Sequence, residues 1–239
     1  MRLSIIVPAY NEEKLLGPCL SSIREATKAC GLTHYELIVC DNASTDATPR
    51  IAKAAGAKLT HEPIRRISLS RNAGAAAATG DWLLFIDADS RLTAAKLKET
   101  LAAIQAGHFV GGGSLIDFDS KTWWGAALTS LWRLLSLSLK WAAGSFVFCR
   151  ADAFKDVGGF PPDMAAGEEL GLTQALKRWG KDKGLGFVIL AETPHVSSGR
   201  KFYLYSLSEL FGILLEMAVS PRQSLRDTAI HKQLYDGRR

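Results

Sequence analysis

Three short runs, Leu3–Val7, Tyr35–Cys40 and Trp82–Ile86, are almost wholly apolar, and helical stretches separate them along the chain. A run of five or six apolar residues is short for a buried helix and fits a strand covered on both faces. Strands of that kind alternating with helices imply a parallel sheet with helices on either side. Glu12 to about Cys30 reads as a helix, and a second begins near Thr45 with Ser44 placed to cap it. Ala57–Thr60 is a weaker strand, and an alanine-rich helix from Leu69 to Thr79 stops at Gly80, as a C-terminal glycine would have it. Arg91–Gln105 reads as a further helix.

The second half changes character. "HFVGGGSLIDF" and "GSFVFCR" look like strands on either side of a tryptophan-rich segment, Lys121 to Ala143. A helix from Glu168 to Trp179, a strand "GFVIL", an apolar-striped helix from Lys201 to Val219 and a basic tail after Pro221 follow. The expected organisation is one α/β domain over 1–200, with halves 1–110 and 111–200, and a C-terminal helix and tail over 201–239.

The 239 residues can bury a sizeable core. The net charge of +5 is modest, and the basic residues are scattered without a Lys/Arg block, which argues against nucleic-acid binding. Cys19, Cys30, Cys40 and Cys149 form no CxxC pair, so a reducing, cytoplasmic compartment is expected. "MRLSIIVPAYNEE" has too short an apolar core for a signal peptide, and no run reaches the length of a membrane span.

In a parallel sheet, ligands sit beyond the carboxyl ends of the strands. Four segments share that rim: Pro8–Glu13, Asp41–Asp46, the stretch leading to Arg71, and Asp87–Ser90. The first, "PAYNEE", lacks the glycine-rich turn of a dinucleotide site. In the last, Asp87-Ala88-Asp89 follows a buried strand directly, and buried acids need a neutralising cation. Oxygen ligands point to Mg²⁺ or Mn²⁺. The plainer alternative is a turn in which Asp89 caps the helix over Arg91–Gln105.

"IIVPAYNEE", "VCDNASTDAT", "RNAGAAAATGDWLLFIDAD", "VGGF" and "GEELGLTQALKRWG" occur in that order. Together they resemble the family 2 inverting glycosyltransferases, over roughly residues 3 to 200. The resemblance implies a GT-A-type nucleotide-diphospho-sugar transferase fold, a nucleotide-diphospho-sugar donor and a divalent metal. It implies that Pro8, Tyr10 and Glu12 line the nucleoside pocket and that Asp41 faces the base or ribose. It puts Arg71 near the nucleotide or its phosphates, Asp87 against ribose or sugar, and Asp89 on the metal. The family motif at "GEEL" usually ends in Glu-Asp, with the aspartate as catalytic base; here Glu168-Glu169 stands in its place, and either is a candidate. Both acids also suit a helix's first turn. Pro8 and Tyr10 are otherwise ordinary turn residues, Asp41 an Asx turn, and Arg71 a surface ion-pair residue. After the last core strand, His195 can add a metal ligand, and Arg200 with Lys201 can clamp a diphosphate.

Two helical segments leave alternatives open. In Trp124–Leu139, positions 124, 127, 128, 131, 135 and 139 share a face. That suits a helix lying on the inner face of a membrane near a lipid-linked hydroxyl acceptor, or one packed on its own domain, the simpler expectation. The helix over Lys201–Val219 could pack locally or form a homodimer. Rival functions are a sugar nucleotidyltransferase, a noncatalytic nucleotide-sugar-binding scaffold, and a peripheral membrane adaptor.

Overall fold

A computed structural model describes residues 1–200 except 121, 143, 165 and 166. The helix expected over Lys201–Val219 and the basic tail lie outside the described residues. One eight-stranded sheet organises the fold. Its strands are β1 (Leu3–Ala9), β2 (Tyr35–Asp41), β3 (Lys58–His61), β4 (Trp82–Ile86), β5 (Ser90–Arg91), β6 (Phe109–Phe118), β7 (Phe146–Arg150) and β8 (Gly186–Ser197), in spatial order β3-β2-β1-β4-β7-β6-β8-β5. Strands β1 to β4 are parallel, β6 also runs parallel to β8, and β7 and β5 are antiparallel to their neighbours. The order reverses beside β1, between β2 and β4, so the loops leaving β1 and β4 flank the crevice where such sheets place ligands.

All of β1 and all of β4 are buried, as their apolar runs require. Alternation divides their side chains between two cores. Leu3, Ile5 and Val7 meet helix α1 (Leu16–Ala29), with helices α2 (Thr48–Ala54) and α4 (Ala94–Gln105) on the same face. Ile6, Leu83 and Phe85 face α6 (Ala151–Asp156) and α7 (Glu168–Lys181), beside α3 (Ile67–Ala76). Phe85 sits with its ring 4.9 Å from Phe160, edge-on, an arrangement that adds specificity to apolar burial.

Several helices start later than the sequence suggests, because rim residues are spent on wiring the loops. Helix α1 begins at Leu16 rather than Glu12, whose amide donates to Thr48 Oγ1 at 2.7 Å. Helix α2 begins at Thr48, and Ser44 accepts from the Asn11 amide at 3.0 Å instead of capping. Helix α4 begins at Ala94 with Thr93 as its cap, which removes the capping role considered for Asp89. Ser90 and Arg91 pair with β8 instead. Helix α3 ends at Ala76, short of Gly80, and Gly80 serves a different purpose. A Cβ there would lie 2.8 Å from the Arg2 carbonyl oxygen, so glycine permits close approach to the start of β1.

The tryptophan-rich helix α5 (Trp123–Leu139) corrects the expectation of a packed apolar face. Gly125, Thr129 and Ser136 are its buried residues, while Trp123 is 81% exposed and Leu134 63% exposed. Thr129 and Ser136 can face inward because each hydroxyl donates to a nearby carbonyl, Gly125 and Trp141 respectively. Among the described residues no helix is long and apolar enough to cross a membrane.

Candidate active site

The loops after β1, β2 and β3 form one knit wall of the rim. Asn11 and Ala43 hold positive φ, 50° and 61°, and Asn11 tolerates this because its short side chain bonds locally: its carbonyl accepts from the Thr45 amide at 2.8 Å. Asp41, buried at the end of β2, accepts from the Ser44 amide at 3.3 Å and lies 3.2 Å from His61 Nδ1. Its neighbour Asn42 donates to the carbonyls of Glu62 and Ile64, tying down the loop after β3. Tyr10 is half-buried, with the Arg65 guanidinium 4.9 Å from its ring centre. Pro8 is buried within β1 opposite Cys40. One Asp41 oxygen thus holds the amide three residues on, and the other meets His61.

Behind this wall lies a buried cation. Arg71, in α3, is 1% exposed. It donates to Glu168 Oε1 at 2.6 Å, to Asp87 Oδ1 at 2.8 Å and to the Gly144 carbonyl at 2.8 Å. Its guanidinium also stacks 5.2 Å from the Phe160 ring centre. The carboxylates of Asp87 and Glu168 hold its pKa above the usual arginine value despite burial. The neighbouring Asn72 clamps the Phe160 backbone in both directions, accepting from its amide at 2.9 Å and donating to its carbonyl at 2.8 Å. Arg71 is therefore an internal anchor for three segments, not a surface ion-pair residue.

The two glutamates at the start of α7 are placed differently. Glu168 is buried and committed to Arg71. Glu169 retains part of its surface at the rim, but its carboxyl group is enclosed by protein. Burial, reinforced by the negative charge of Glu168 and only partly offset by Arg71, pushes its pKa up to about 8. A carboxylate poised near neutrality is the property wanted of a general base.

Asp87 and Asp89 diverge: Asp87 faces Arg71, and Asp89 faces Arg200. The Arg200 guanidinium donates to both Glu12 oxygens, Nη1 at 3.0 Å and Nη2 more closely, and reaches Asp89 Oδ2 at 3.2 Å. Ser197 on β8 lies 3.5 Å from Asp89 Oδ1. Three residues from distant parts of the sequence thus meet at one edge of the crevice.

His195 is buried on β8, its ring 4.8 Å from Phe146. Neither ring nitrogen has a well-formed hydrogen bond. Burial drives its pKa down to about 3, with Asp87 opposing, Lys96 assisting and the Ser145 backbone opposing weakly. The imidazole is therefore neutral at physiological pH, the form that ligates metals. The sign of its linkage to stability follows. A depressed histidine pKa leaves stability intact above about 6.5, and that stability is lost as pH falls towards about 3. Between pH 7 and 5 this amounts to roughly 2 kcal/mol. His195→Leu is expected to remove that part of the acid sensitivity, as measured by urea denaturation at the two pH values.

The donor chemistry of the rim suits a hard divalent cation. Among the described residues no three His, Cys, Asp or Glu side chains converge on one point. Mg²⁺ and Mn²⁺ sites nevertheless commonly use one or two carboxylates and complete the shell with substrate phosphates and water. The carboxylates of Asp89 and Glu12, already gathered around a guanidinium, fit that pattern, and the unpartnered ring nitrogens of His195 lie on β8 two residues before Ser197, which meets Asp89.

Residues 4–167 match the family model described as Glycosyl transferase family 2. The chain is 32% identical over 114 residues to the poly(ribitol-phosphate) beta-N-acetylglucosaminyltransferase TarS of Staphylococcus aureus, covering 45% of this chain and 20% of TarS. It is 36% identical over 138 residues to a PGL/p-HBAD biosynthesis glycosyltransferase of Mycobacterium bovis, covering 52% of this chain and 50% of that protein. The chain thus spans half or less of the length of these relatives. Solved structures with the same fold include the mannosyltransferase PcManGT of Pyrobaculum calidifontis with GDP-Man and Mn²⁺ (TM-score 0.68, 18% identity, 98% of this chain and 69% of that one). Glucosyl-3-phosphoglycerate synthase of Mycobacterium tuberculosis with Mg²⁺ and UDP is another (TM-score 0.65, 20% identity, 94% and 79%). The α/β architecture is the GT-A type expected from the sequence, and with most of its length matched, the chain belongs to glycosyl transferase family 2.

Proposed function

We propose that this chain is a metal-dependent, inverting glycosyltransferase that moves a sugar from a nucleotide-diphosphate donor to an acceptor hydroxyl. The observation that carries the reading is Glu169, whose carboxyl group lies against Gly144 beside the Arg71, Asp87 and Glu168 cluster and whose pKa is raised to about 8. Donor binding falls to the half over residues 1–110, where Pro8, Tyr10, Glu12 and Asp41 line the nucleoside side. Residues 111–200 supply the base and the acceptor side. The donor class is supported by relatives of the same fold solved with UDP-GlcNAc, GDP-Man or UDP.

In this reaction Glu169 accepts the proton of the acceptor hydroxyl as that oxygen bonds to the anomeric carbon. The bond from that carbon to the diphosphate oxygen breaks on the opposite side, which inverts the configuration and releases the nucleoside diphosphate. Glu168 cannot serve as well, because its carboxylate is committed to the Arg71 guanidinium inside the core. Asp87, braced by the same guanidinium, presents its remaining oxygen towards the sugar or ribose. Asp89, with His195, would hold Mg²⁺ or Mn²⁺, which when bound neutralises charge on the departing diphosphate. Arg200, which reaches Glu12 and Asp89 at the edge of the crevice, would add its positive charge to the diphosphate side.

The test offers the protein UDP-, GDP- and dTDP-sugars with Mn²⁺ or Mg²⁺ and follows thermal stability. Donor at about one hundred times its Kd stabilises the fold by about 2.7 kcal/mol, enough for a shift of several degrees. One nucleotide class should stabilise the protein only with metal, and Asp89→Ala should lose the effect. Absence of stabilisation by every donor with either metal would overturn the proposal.

A further inference from the structure

Helix α5 carries its apolar residues outward. Leu131, Leu134, Leu137 and Leu139 are 54%, 63%, 46% and 43% exposed, and Trp123 opens the same surface at the N-terminal end. At about 100° per residue, the buried Gly125, Thr129 and Ser136 form one narrow stripe, and Trp123, Ala127, Leu131 and Leu134 fall on the opposite side. That outward face holds no charged side chain. Ser130, which shares it, turns its hydroxyl back to the Ala126 carbonyl at 2.9 Å, so removing it from water costs less. An apolar surface of this kind marks a contact rather than a solvated face.

The charge pattern indicates what the face meets. From 120 to 151 the chain has no Asp or Glu, while Lys121, Arg133, Lys140 and Arg150 are all basic. Arg133, the one charged residue of α5, and Lys140, its C-terminal cap, fall on one flank, between the buried stripe and the outward leucines. In a helix lying flat on a bilayer, that flank sits at headgroup depth. A basic side chain there meets lipid phosphate while its stem stays against apolar surface. An exposed tryptophan at the helix end suits the same boundary. A second copy fits less well: a symmetric contact through this face would bring Arg133 and Lys140 towards their own counterparts, and the segment offers no acid to pair with them. The helix has 17 residues, and among the described residues none is long and apolar enough to cross a membrane, so the fitting geometry is on the surface.

We propose that α5 is an interfacial helix that seats the protein on an anionic lipid bilayer, its leucine face among the acyl chains and Arg133 and Lys140 on lipid phosphates. Both ends of the helix are wired to the candidate site. Its cap Thr122 follows closely on Asp119, whose amide donates to the Ser197 carbonyl at 3.1 Å. Beyond Lys140 the chain reaches Gly144, whose carbonyl accepts from Arg71 at 2.8 Å. A bilayer on this face therefore lies alongside the crevice. The binding does not depend on the transferase reading.

The full chain is mixed with phosphatidylcholine vesicles, with and without phosphatidylglycerol, and floated on a density gradient in the absence of donor and metal. It should float with the anionic vesicles and bind phosphatidylcholine alone at least about tenfold more weakly. Leu131→Ser with Leu134→Ser should cut binding to anionic vesicles at least about tenfold. Ala127→Asp, a single charge at the centre of the same face, gives an independent reading. Arg133→Gln with Lys140→Asn should erase most of the preference for phosphatidylglycerol; asparagine suits the left-handed conformation of residue 140, φ 50°. Circular dichroism should show each variant folded as the wild type. Failure of the wild-type protein to float with either vesicle would overturn the proposal. So would flotation undiminished in both the leucine double variant and Ala127→Asp, or a lipid-free dimer that the leucine double variant abolishes, which would assign the face to a second copy.

Discussion

Replacing Arg71 with methionine is expected to lower the unfolding free energy by about 3–5 kcal/mol, the cost of stripping a buried charge network of one partner. Methionine approximates the volume of the arginine stem, so lost packing contributes little. The cost comes from Asp87 and Glu168, left facing each other without their shared cation. Arg71→Lys should recover only part of it, because one ammonium cannot reproduce the planar fork that reaches Glu168, Asp87 and the Gly144 carbonyl together. Urea denaturation at pH 7 measures both variants. Adding Glu168→Gln to Arg71→Met should restore part of the loss, since one of the stranded charges is then removed. Failure of the double variant to improve on the single one would show that the guanidinium acts through packing against Phe160 and not through charge.

Glu169→Gln is expected to lower glycosyl transfer, or slow donor hydrolysis, by about 10²–10⁴-fold while leaving nucleotide binding intact. Glutamine keeps the shape and removes the proton acceptor. With the wild-type protein, activity should rise about tenfold per pH unit and level off above about 8, where Glu169 is ionised. Stability runs the opposite way. A carboxyl group whose folded pKa is raised contributes fully below its ordinary value, and that contribution is lost as pH rises through about 8. Glu169→Gln should therefore gain stability over wild type at pH 9 and not at pH 4. A variant that loses nucleotide binding together with turnover would place Glu169 in donor recognition instead.

The strands of the first half were legible because each apolar run carries its own evidence of burial. Their helices were less so at the N-terminal ends. Glu12 and Ser44 look like a helix start and a helix cap in sequence, yet each is taken by a partner from another segment, Thr48 and Asn11 respectively. Strand β8 runs to Ser197, well past the apolar "GFVIL", because pairing with β6 and β5 resumes at His195 after an irregularity over 191–194. Pairing of that kind leaves no trace in local hydropathy.

The candidate site shows the same division. Asp87, Asp89 and the glutamate pair stand out by residue type and position. The sequence does not show that Arg71, bonded to Asp87, reaches Glu168 across 97 residues, or that Asn72 holds Phe160, although "RNAG" and "GGF" both appear among the ordered motifs. Gly144 could not have been singled out, since its contribution is a backbone carbonyl. Helix α5 misled for a different reason. A hydrophobic stripe says which side chains avoid water, not which neighbour they find, and here Gly125, Thr129 and Ser136 face the domain. The distinction between Glu168 and Glu169 is likewise three-dimensional: one meets Arg71, and the other keeps an edge at the rim.

The most direct test of base-assisted displacement at this site follows the anomeric proton by NMR while the protein slowly hydrolyses its preferred sugar nucleotide with metal present. The account predicts that the sugar first released has the configuration opposite to that in the donor, and that the signal disappears in Glu169→Gln. Release with retained configuration, or inversion that persists undiminished in Glu169→Gln, would contradict it.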